Sequence, residues 1–349
     1  MSLTQFLKAT GNIYATVADD GIIAGDVSGF IDTGSYALNA LLCGSIYGGL
    51  PGNKITAIGA PSSTGKTFFA LGCLKGFLNA NPTAFGFIFE SESALTKDGL
   101  KSRGIDTKRV GIIPVATVQD FRTAALKILD NYDKQAAEDK VPMFFVLDSM
   151  GMLSTDKEIE DTLAGEPTKD MTRAALLKAT FRVLTLKLGR LGVPLFVTNH
   201  VYAAIGGSKY DKDVQGGGTG MVYAASSVLS LSKAKDKDDK TKEVTGVIVT
   251  VTHDKGRLTK ENIKVKCLIK YDGGLDRYFW LTELAEKAGV WEKLSTQYII
   301  NGKKYYQKSI EAEPEKFFTS EVLDKIDEWT KANFTYGANG EDRVTDEDI

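Results

Sequence analysis

Short apolar runs alternate with segments of helical periodicity between residues 54 and 198. The apolar runs predict buried strands at residues 54–59, 84–89, 110–113, 143–147 and 194–198. The helical segments have apolar side chains spaced three and four positions apart, at residues 67–78, 118–132 and 172–191. Strands that alternate with helices favour a mostly parallel sheet with helices on both faces. The predicted fold class is therefore α/β.

The pattern changes after residue 225. Residues 226–231, 244–252 and 264–269 are rich in β-forming side chains, with a charged stretch at 233–242 between the first two runs. The three runs predict antiparallel strands at one edge of the sheet. The charged stretch is typical of a solvated hairpin tip.

The C-terminal part predicts a small α+β domain. Helical segments at 281–289 and 320–332 flank residues 298–306, which contain the hairpin signal Asn301-Gly302. Residues 341–348 hold five acids and one base, as in a disordered acidic tail. The predicted division of the chain is a partly ordered segment at 1–30, a core at 31–272, a C-terminal domain at 273–336 and a tail at 337–349.

The charge balance limits the kinds of partner that the chain can bind, and the cysteine content indicates its cellular compartment. The chain has 43 Lys and Arg against 45 Asp and Glu, so no global basic field marks a nucleic-acid partner. Any site for a polyanion must be local or depend on a bound ligand. Cys43, Cys73 and Cys267 form no CxxC pair, which fits a reducing compartment. Without a signal-peptide pattern or a long apolar stretch, we expect a cytoplasmic protein with no membrane partner.

A nucleotide-binding motif lies between the first predicted strand and the first predicted helix. The motif is the phosphate loop Ala60-Pro61-Ser62-Ser63-Thr64-Gly65-Lys66-Thr67, with Ala60 where glycine is usual. Small residues let backbone N–H groups surround phosphates, and the following helix N-terminus adds positive partial charge. We expect Lys66 to reach the β- and γ-phosphates of ATP, and the Thr67 hydroxyl to bind Mg²⁺.

Acidic side chains end two of the predicted strands. Asp148 follows the strand at 143–147, and Glu90 and Glu92 end the strand at 84–89. At the carboxyl edge of a parallel sheet, Asp148 is placed to hold the Mg²⁺ hydration shell, and Glu92 to polarise the attacking water. The alternatives are a loop-capping Asp148 and a pair of solvated glutamates.

A histidine and a glycine-rich segment follow the strand at 194–198. His200 is placed to sense the γ-phosphate through a hydrogen bond, although a purely structural histidine is an alternative. The segment Gln215-Gly216-Gly217-Gly218-Thr219-Gly220 suits a mobile contact with a ligand, and a plain linker is the alternative.

These motifs resemble the RecA-type strand-exchange recombinases and, among them, the phage UvsX-like branch. The resemblance runs from Ile31 to the acidic tail. Besides the phosphate loop, it rests on Ile31-Asp32-Thr33-Gly34, Leu38-Asn39, Gly48-Gly49, Glu90-Ser91-Glu92, Asp148-Ser149, Asp170-Met171-Thr172-Arg173, Asn199-His200, Gly216-Gly217-Gly218-Thr219-Gly220, and residues 285–291 and 301–308. It implies a RecA-like P-loop core.

The resemblance implies a role for several residues. Glu92 would be the general base, and His200 would couple the γ-phosphate to DNA. Lys255 and Arg257 would reach an ATP on the neighbouring subunit, as arginine fingers do. Residues before Ile31 would dock on the adjacent protomer. Gly99 stands where the family has a tyrosine that stacks on adenine, so we expect loose base selectivity.

The resemblance also implies two DNA-binding loops, at residues 154–168 and 201–220. The first loop is rich in acids. We therefore expect direct phosphate contacts from basic groups on the helix that follows it. The expected DNA-binding residues are Arg173, Lys178, Arg182, Gly216, Gly217, Gly218 and Thr219.

The implied function is an ATP-dependent DNA recombinase that forms a helical filament on single-stranded DNA and pairs it with homologous duplex DNA. Its expected cofactors are ATP and Mg²⁺, and further expected partners are a single-strand-binding protein and a recombination mediator. One alternative is a hexameric RecA-fold helicase, which forms closed rings rather than helical filaments. Another is a DNA-repair regulator that binds ATP without hydrolysing it, against which Glu92 argues.

Overall fold

The computed structural model describes residues 2–166, 172–202, 214–215, 220–237, 243–271 and 274–337. Contacts divide the chain into two compact units. Unit 1 comprises Met1–Phe30, Pro51–Ala57 and Phe77–Ala225, and unit 2 comprises Ile31–Leu50, Ile58–Gly76 and Ser226–Ile349. Within the described ranges, none of the helices combines the length and the apolar character needed to cross a bilayer.

Helices alternate with strands over most of the chain up to residue 202, and the described strands between residues 227 and 275 follow one another without a helix between them. The helices are α1 (Leu3–Ala9), α2 (Tyr36–Cys43), α3 (Lys66–Ala80), α4 (Lys97–Ser102), α5 (Val118–Asp133), α6 (Asp156–Ala164), α7 (Arg173–Leu191), α8 (Gly220–Ala224), α9 (Leu281–Lys287), α10 (Gln307–Ala312), α11 (Pro314–Phe317) and α12 (Ser320–Phe334). The strands are β1 (Phe30–Ile31), β2 (Leu50–Pro51), β3 (Ile55–Ala60), β4 (Phe85–Glu90), β5 (Val110–Pro114), β6 (Met143–Asp148), β7 (Leu195–Tyr202), β8 (Val214–Gln215), β9 (Ser227–Lys237), β10 (Val244–Gly256), β11 (Lys264–Lys270), β12 (Gly274–Leu275), β13 (Glu292–Leu294), β14 (Gln297–Ile300) and β15 (Lys303–Tyr306).

Unit 1 contains the parallel part of the fold. Strand β6 pairs in parallel with β4 on one side and with β7 on the other, and β5 pairs in parallel with β4. Every residue of β6 is buried, which explains its uninterrupted apolar run. Phe89 of β4 packs against Phe121 of α5 with ring centroids 5.1 Å apart, and Phe121 in turn contacts Phe181 of α7. The predicted parallel strands and covering helices are confirmed.

The N-terminal segment is more ordered than predicted. Helix α1 begins with a capping box formed by Ser2 and Gln5. Further along, the Lys54 ammonium donates hydrogen bonds of 2.7 Å to the backbone carbonyls of Ala24 and Gly25. These bonds hold the segment before β1 on unit 1, whereas α1 buries none of its side chains.

Unit 2 contains the predicted antiparallel strands. β10 pairs antiparallel with β9 and with β11, and β11 pairs antiparallel with β12. Val249 and Val251 of β10 are fully buried with Val265 and Cys267 of β11. The prediction that residues 233–242 form a hairpin tip is wrong at its start, because β9 continues to Lys237. Residues 238–242 lie outside the described residues.

The C-terminal part of unit 2 has the predicted α+β content. Strands β13, β14 and β15 form an antiparallel sheet whose last two strands meet at the Asn301-Gly302 turn. Helix α12 is fastened to the loop after α2 by the buried Asp327 carboxylate. That carboxylate accepts a 2.6 Å hydrogen bond from the Ser45 hydroxyl and a 2.8 Å bond from the Ile46 N–H, and it pairs with Lys331 at 2.6 Å. Replacing the carboxylate would leave buried donors without an acceptor.

We predict that Asp327→Ala lowers the free energy of unfolding by about 2–4 kcal/mol, because hydrogen bonds to a buried charged group are lost. Urea denaturation at neutral pH measures the change. Asp324→Ala is the matched control, since Asp324 lies one turn earlier on α12 and makes an exposed 2.8 Å bond with the Tyr47 hydroxyl. The control should cost less than about 1 kcal/mol. Equal losses in the two variants would contradict the anchoring role of Asp327.

Candidate functional site

The phosphate-loop motif has the predicted strand before it and the predicted helix after it. Strand β3 is buried along its whole length and ends at Ala60, and α3 begins at Lys66. The Phe69 N–H donates to the Gly65 carbonyl, which closes the first turn of α3. A loop held between a buried strand and a helix N-terminus presents backbone N–H groups and positive partial charge to an anion.

The loop curls around the ammonium group of its own lysine. Lys66 is only 6% exposed, and its Nζ donates to the backbone carbonyls of Ala60 at 2.9 Å and Pro61 at 3.0 Å. Thr64 closes the turn by donating to the Pro61 carbonyl at 2.8 Å. Gly65 has φ +102°, and a Cβ atom there would lie 3.0 Å from Ile269. A loop of this shape and charge fits a phosphate chain.

A second lysine contacts the phosphate loop, and sequence reasoning missed it. Lys233 of β9 donates a 2.6 Å hydrogen bond from Nζ to the backbone carbonyl of Ser63. The available signal was the alternation along β9, because Leu229 and Leu231 are buried and Lys233 continues the same face. The charged residues that follow made the whole stretch resemble a solvated tip.

In unit 1, the acids that end β4 and β6 lie side by side. The parallel register pairs Glu90 with Asp148. Asp148 is 5% exposed and accepts a 2.5 Å hydrogen bond from the Thr198 hydroxyl of β7. Ser91 binds the residue after Asp148, since its hydroxyl donates to the Ser149 carbonyl at 2.8 Å. The acidic ends of β4 and β6 therefore lie at the same edge of the sheet in this unit.

The two glutamates at the end of β4 have different hydrogen-bond partners. The Glu90 carboxylate is buried and accepts 3.0 Å hydrogen bonds from the N–H groups of Glu92 and Ala94, so it caps its own turn. The Glu92 side chain is 28% exposed, and its Oε1 lies 2.9 Å from Nε2 of His200. Of the two acids, Glu92 is the one that reaches solvent and meets another candidate catalytic group.

His200 lies inside a strand and not after one. The prediction that β7 ends at residue 198 is wrong, because the strand continues to Tyr202. The backbone after β6 passes close to the imidazole, and a Cβ atom on Gly151 would lie 3.4 Å from Cδ2 of His200. The Glu92–His200 contact brings together two residues that the sequence singled out separately.

The basic pair lies at the end of β10 in unit 2. Lys255 is partly buried and Arg257 is exposed. Burial lowers the pKa of Lys255, the positive charge of Arg257 lowers it further, and Glu261 opposes both effects. Two cations held this close would suit a multiply charged anion.

The expected DNA-binding residues of α7 differ in their surroundings. Arg173 donates from its guanidinium to the backbone carbonyls of Leu153 at 2.7 Å and Gly151 at 2.9 Å, so it braces the turn after β6. Lys178 and Arg182 are exposed and one helical turn apart on one face of α7. Gly216, Gly217, Gly218 and Thr219 lie outside the described residues.

The first expected DNA loop is largely helical. Residues 156–164 form α6, which begins at a capping box between Thr155 and Glu158. The expectation of a loop over residues 154–168 is therefore wrong for this part, because the acids in the first turn favour a helix N-terminus. Helix α6, the turn at Met150–Met152 and Arg173 line a cavity of about 560 Å³.

Metal binding by protein side chains alone has no support in the described part of the chain. Residues capable of ligating metals do not gather there in groups of three or more. A Mg²⁺ ion held together with nucleotide phosphates needs only one or two protein oxygens. The Thr67 hydroxyl and the Asp148 carboxylate each fit such a minimal role.

A phosphate loop between a buried strand and a helix, in an α/β protein, defines the class of P-loop nucleotide-binding proteins. Residues 19–276 match the family model described as the RecA N-terminal domain. The chain therefore belongs to the RecA family.

Curated relatives agree with this family. The chain is 32% identical over 252 residues to the recombination and repair protein of Enterobacteria phage T4, with 72% of this chain and 62% of that protein covered. It is 28% identical over 308 residues to the protein RecA of Chelativorans sp., with 88% and 80% covered. It is 25% identical over 327 residues to the protein RecA of Nostoc sp., with 91% and 87% covered. The match with the phage protein thus spans less than two thirds of that protein.

Proposed function

We propose that this protein is an ATP-dependent DNA recombinase that assembles as a helical filament on single-stranded DNA and exchanges strands with homologous duplex DNA. The observation that carries the proposal is the 2.9 Å contact between Glu92 and His200. It joins a candidate water-activating acid to the strand that leads into the glycine-rich segment. Membership of the RecA family and relatives named for recombination and repair support the same function.

The phosphate loop supplies nucleotide binding in this proposal. Lys66 exchanges its bonds to the loop carbonyls for bonds to the β- and γ-phosphates of ATP. The Thr67 hydroxyl and the Asp148 carboxylate are the groups that would hold Mg²⁺, which would supply positive charge to neutralise the phosphates. Lys233 keeps the loop from opening by its bond to the Ser63 carbonyl.

Glu92 supplies the general base. Its carboxylate reaches solvent, whereas the Glu90 carboxylate already accepts two backbone N–H bonds. A change in the hydrogen bonding of Glu92 then moves His200, and strand β7, which carries His200, passes this movement to residues 201–220. Hydrolysis and DNA binding are coupled because the Glu92–His200 hydrogen bond joins the general base to the strand that leads into residues 201–220.

Glu92→Gln should keep ATP binding and lose turnover by about 10²–10⁴-fold, since an amide cannot accept the proton from water. A steady-state ATPase assay with single-stranded DNA measures turnover, and a fluorescent nucleotide measures binding. Glu90→Gln is the matched control, because its amide oxygen still accepts the two backbone bonds, and it should retain turnover within about threefold. Near-normal turnover in Glu92→Gln would remove Glu92 from this role.

Filament assembly places the basic pair on the neighbouring subunit's nucleotide in this proposal. Lys255 and Arg257 act there as arginine fingers do, by stabilising charge on the transferred phosphoryl group.

The exposed apolar side chains of α1, Leu3 and Phe6, suit docking of the N-terminal segment on an adjacent protomer. A single-strand-binding protein and a recombination mediator are further proposed partners, and the cytoplasm is the proposed compartment.

Arg257→Ala and Lys255→Ala should each lower DNA-stimulated turnover by about 10³-fold while nucleotide binding to one subunit stays intact. Mixing either variant with Lys66→Ala protein should restore part of the activity, because some interfaces then pair an intact loop with intact basic residues. Loss of ATP affinity in the isolated subunit would instead place the pair in its own nucleotide site. Electron microscopy of the ATP–DNA complex supplies the further check, since a closed ring would favour the helicase alternative.

DNA affinity should depend on the bound nucleotide, because the net charge of −2 provides no standing basic field. We expect tight single-strand binding with a non-hydrolysable ATP analogue and weak binding with ADP, measured by fluorescence anisotropy. With the analogue bound, the affinity for single-stranded DNA should fall steeply as the salt concentration rises, since each neutralised phosphate on a single strand releases roughly 0.7 counterion. Deleting residues 341–348 should strengthen binding, chiefly to duplex DNA. Equal affinities with the analogue and with ADP would contradict the coupling.

A further inference from the structure

The turn that carries Lys255 and Arg257 is closed by a pair of backbone hydrogen bonds. The His253 N–H donates to the Ile263 carbonyl at 2.9 Å, and the Asn262 N–H donates to the His253 carbonyl at 2.7 Å. The pairing of β10 with β9 shifts register between His253 and Lys255, and such an irregularity changes the direction of the strand. His253 is thus the last regular residue of β10 before the basic pair.

A chain of hydrogen bonds runs from the His253 ring to helix α2. The Thr259 hydroxyl donates to the Leu41 carbonyl at 2.6 Å, and its oxygen lies 3.0 Å from Nδ1 of His253. Since the single hydroxyl proton goes to Leu41, Nδ1 must carry a hydrogen and donate it to Thr259. His253 and Thr259 are both fully buried. Burial lowers the pKa of His253 to about 4, although Glu261 and hydrogen bonds with the backbone of Lys260 and Lys255 oppose this effect, so the ring is neutral at physiological pH.

The ring and Thr259 lie directly beneath the residue that separates the two basic side chains. A Cβ atom on Gly256 would come within 2.2 Å of the Thr259 carbonyl oxygen and 2.4 Å of Cε1 of His253. Any side chain at Gly256 would displace the turn. Close packing of this kind transmits the position of the ring to the peptide that joins Lys255 to Arg257.

The far side of the turn is tied to the carboxyl end of α12. The Lys260 N–H donates to the Phe334 carbonyl at 2.7 Å, and its Nζ donates to the Asn333 carbonyl at 2.8 Å. Thr259 also forms an isolated antiparallel bridge with Thr335. The turn is therefore supported by a buried ring from within and by the last helix from outside.

We propose that His253 and Thr259 are positioning residues for the Lys255–Arg257 pair, and that the end of α12 completes their support. The inference rests on the proposed role of that pair at a neighbouring subunit's nucleotide. His253 and Thr259 are fully buried, so their proposed role needs no contact with the nucleotide. They act by fixing where the two cations are presented, and a displacement of about 1 Å at a catalytic group costs on the order of 10²-fold in rate.

The direct test removes the hydroxyl and keeps its shape. Thr259→Val should lower the kcat of DNA-stimulated ATP hydrolysis by about 10–100-fold, with the ATP Kd of the isolated subunit unchanged. Thr259→Ser restores the hydroxyl and should recover turnover within about threefold of the original protein. Thr330→Val is the matched control, because Thr330 is equally buried in unit 2 and its hydroxyl donates a local 3.0 Å hydrogen bond to the Asp327 carbonyl of the same helix. It should leave kcat unchanged. Equal losses in Thr259→Val and Thr330→Val would overturn the inference.

A second pair of variants gives the same contrast if Thr259→Val folds poorly. The Nδ2 group of asparagine occupies the place of Nδ1 in histidine, so His253→Asn should keep the donor to Thr259 and most of the turnover. His253→Leu removes the donor and should lose turnover as Thr259→Val does. Equal turnover in the two His253 variants would overturn the inference.

Two further readouts separate failure of this inference from failure of the proposed function. The chain has only two histidines, so ¹⁵N-histidine NMR resolves the His253 ring. We expect the neutral Nδ1–H form above about pH 5, and a pKa near 6.5 would refute the buried geometry whatever the activity. In a background that lacks both cations (Lys255→Ala with Arg257→Ala), Thr259→Val should cause no further loss, because it acts through the pair. If Arg257→Ala alone leaves turnover intact, the proposed trans contact is wrong and the positioning role is lost with it.

Discussion

The parallel register between β4 and β6 is the constraint on which the chemistry of unit 1 depends. It sets Glu90 opposite Asp148, and the pairing of β6 with β7 brings Thr198 to the same edge. A slip of one residue would turn these side chains to the opposite face of the sheet. A slip would also part the Asp148 carboxylate from the Thr198 hydroxyl, which is costly because β6 is buried along its whole length. The core and the candidate catalytic groups are thus fixed by one pairing.

At this edge of the sheet, some charged side chains hold the backbone in place, and others have side-chain atoms that reach solvent. Glu90 gives its carboxylate to two N–H groups of the turn that carries Glu92. The buried Glu90 carboxylate thereby holds the turn that presents Glu92 to His200. Arg173 serves the turn after β6 in the same way, through the carbonyls of Leu153 and Gly151. Charged side chains bonded to the backbone give the neighbouring functional groups a fixed position.

Unit 2 uses backbone carbonyls and one buried ring for the same purpose. The phosphate loop is shaped by bonds from Lys66 and Lys233 to its carbonyls. The basic turn is shaped by His253 and Thr259, and by contacts with the end of α12. In the basic turn, an exposed and a partly exposed cation owe their position to groups that water cannot reach. Asp327 extends this support, because it fastens α12 to the loop after α2.

The sequence by itself determined the alternation of strands and helices, the phosphate loop and the acids that end β4 and β6. These features are local, since periodicity, loop composition and strand-end position can all be seen in a short window. Tertiary structure decided which of Glu90 and Glu92 is available, because the distinction depends on hydrogen bonds in a folded turn. It also decided the place of Lys233, the continuation of β7 through His200, and the contact of His253 with Thr259 and Leu41. Those contacts join residues far apart in the chain or depend on which polar side chains become buried, and neither charge pattern nor spacing encodes that.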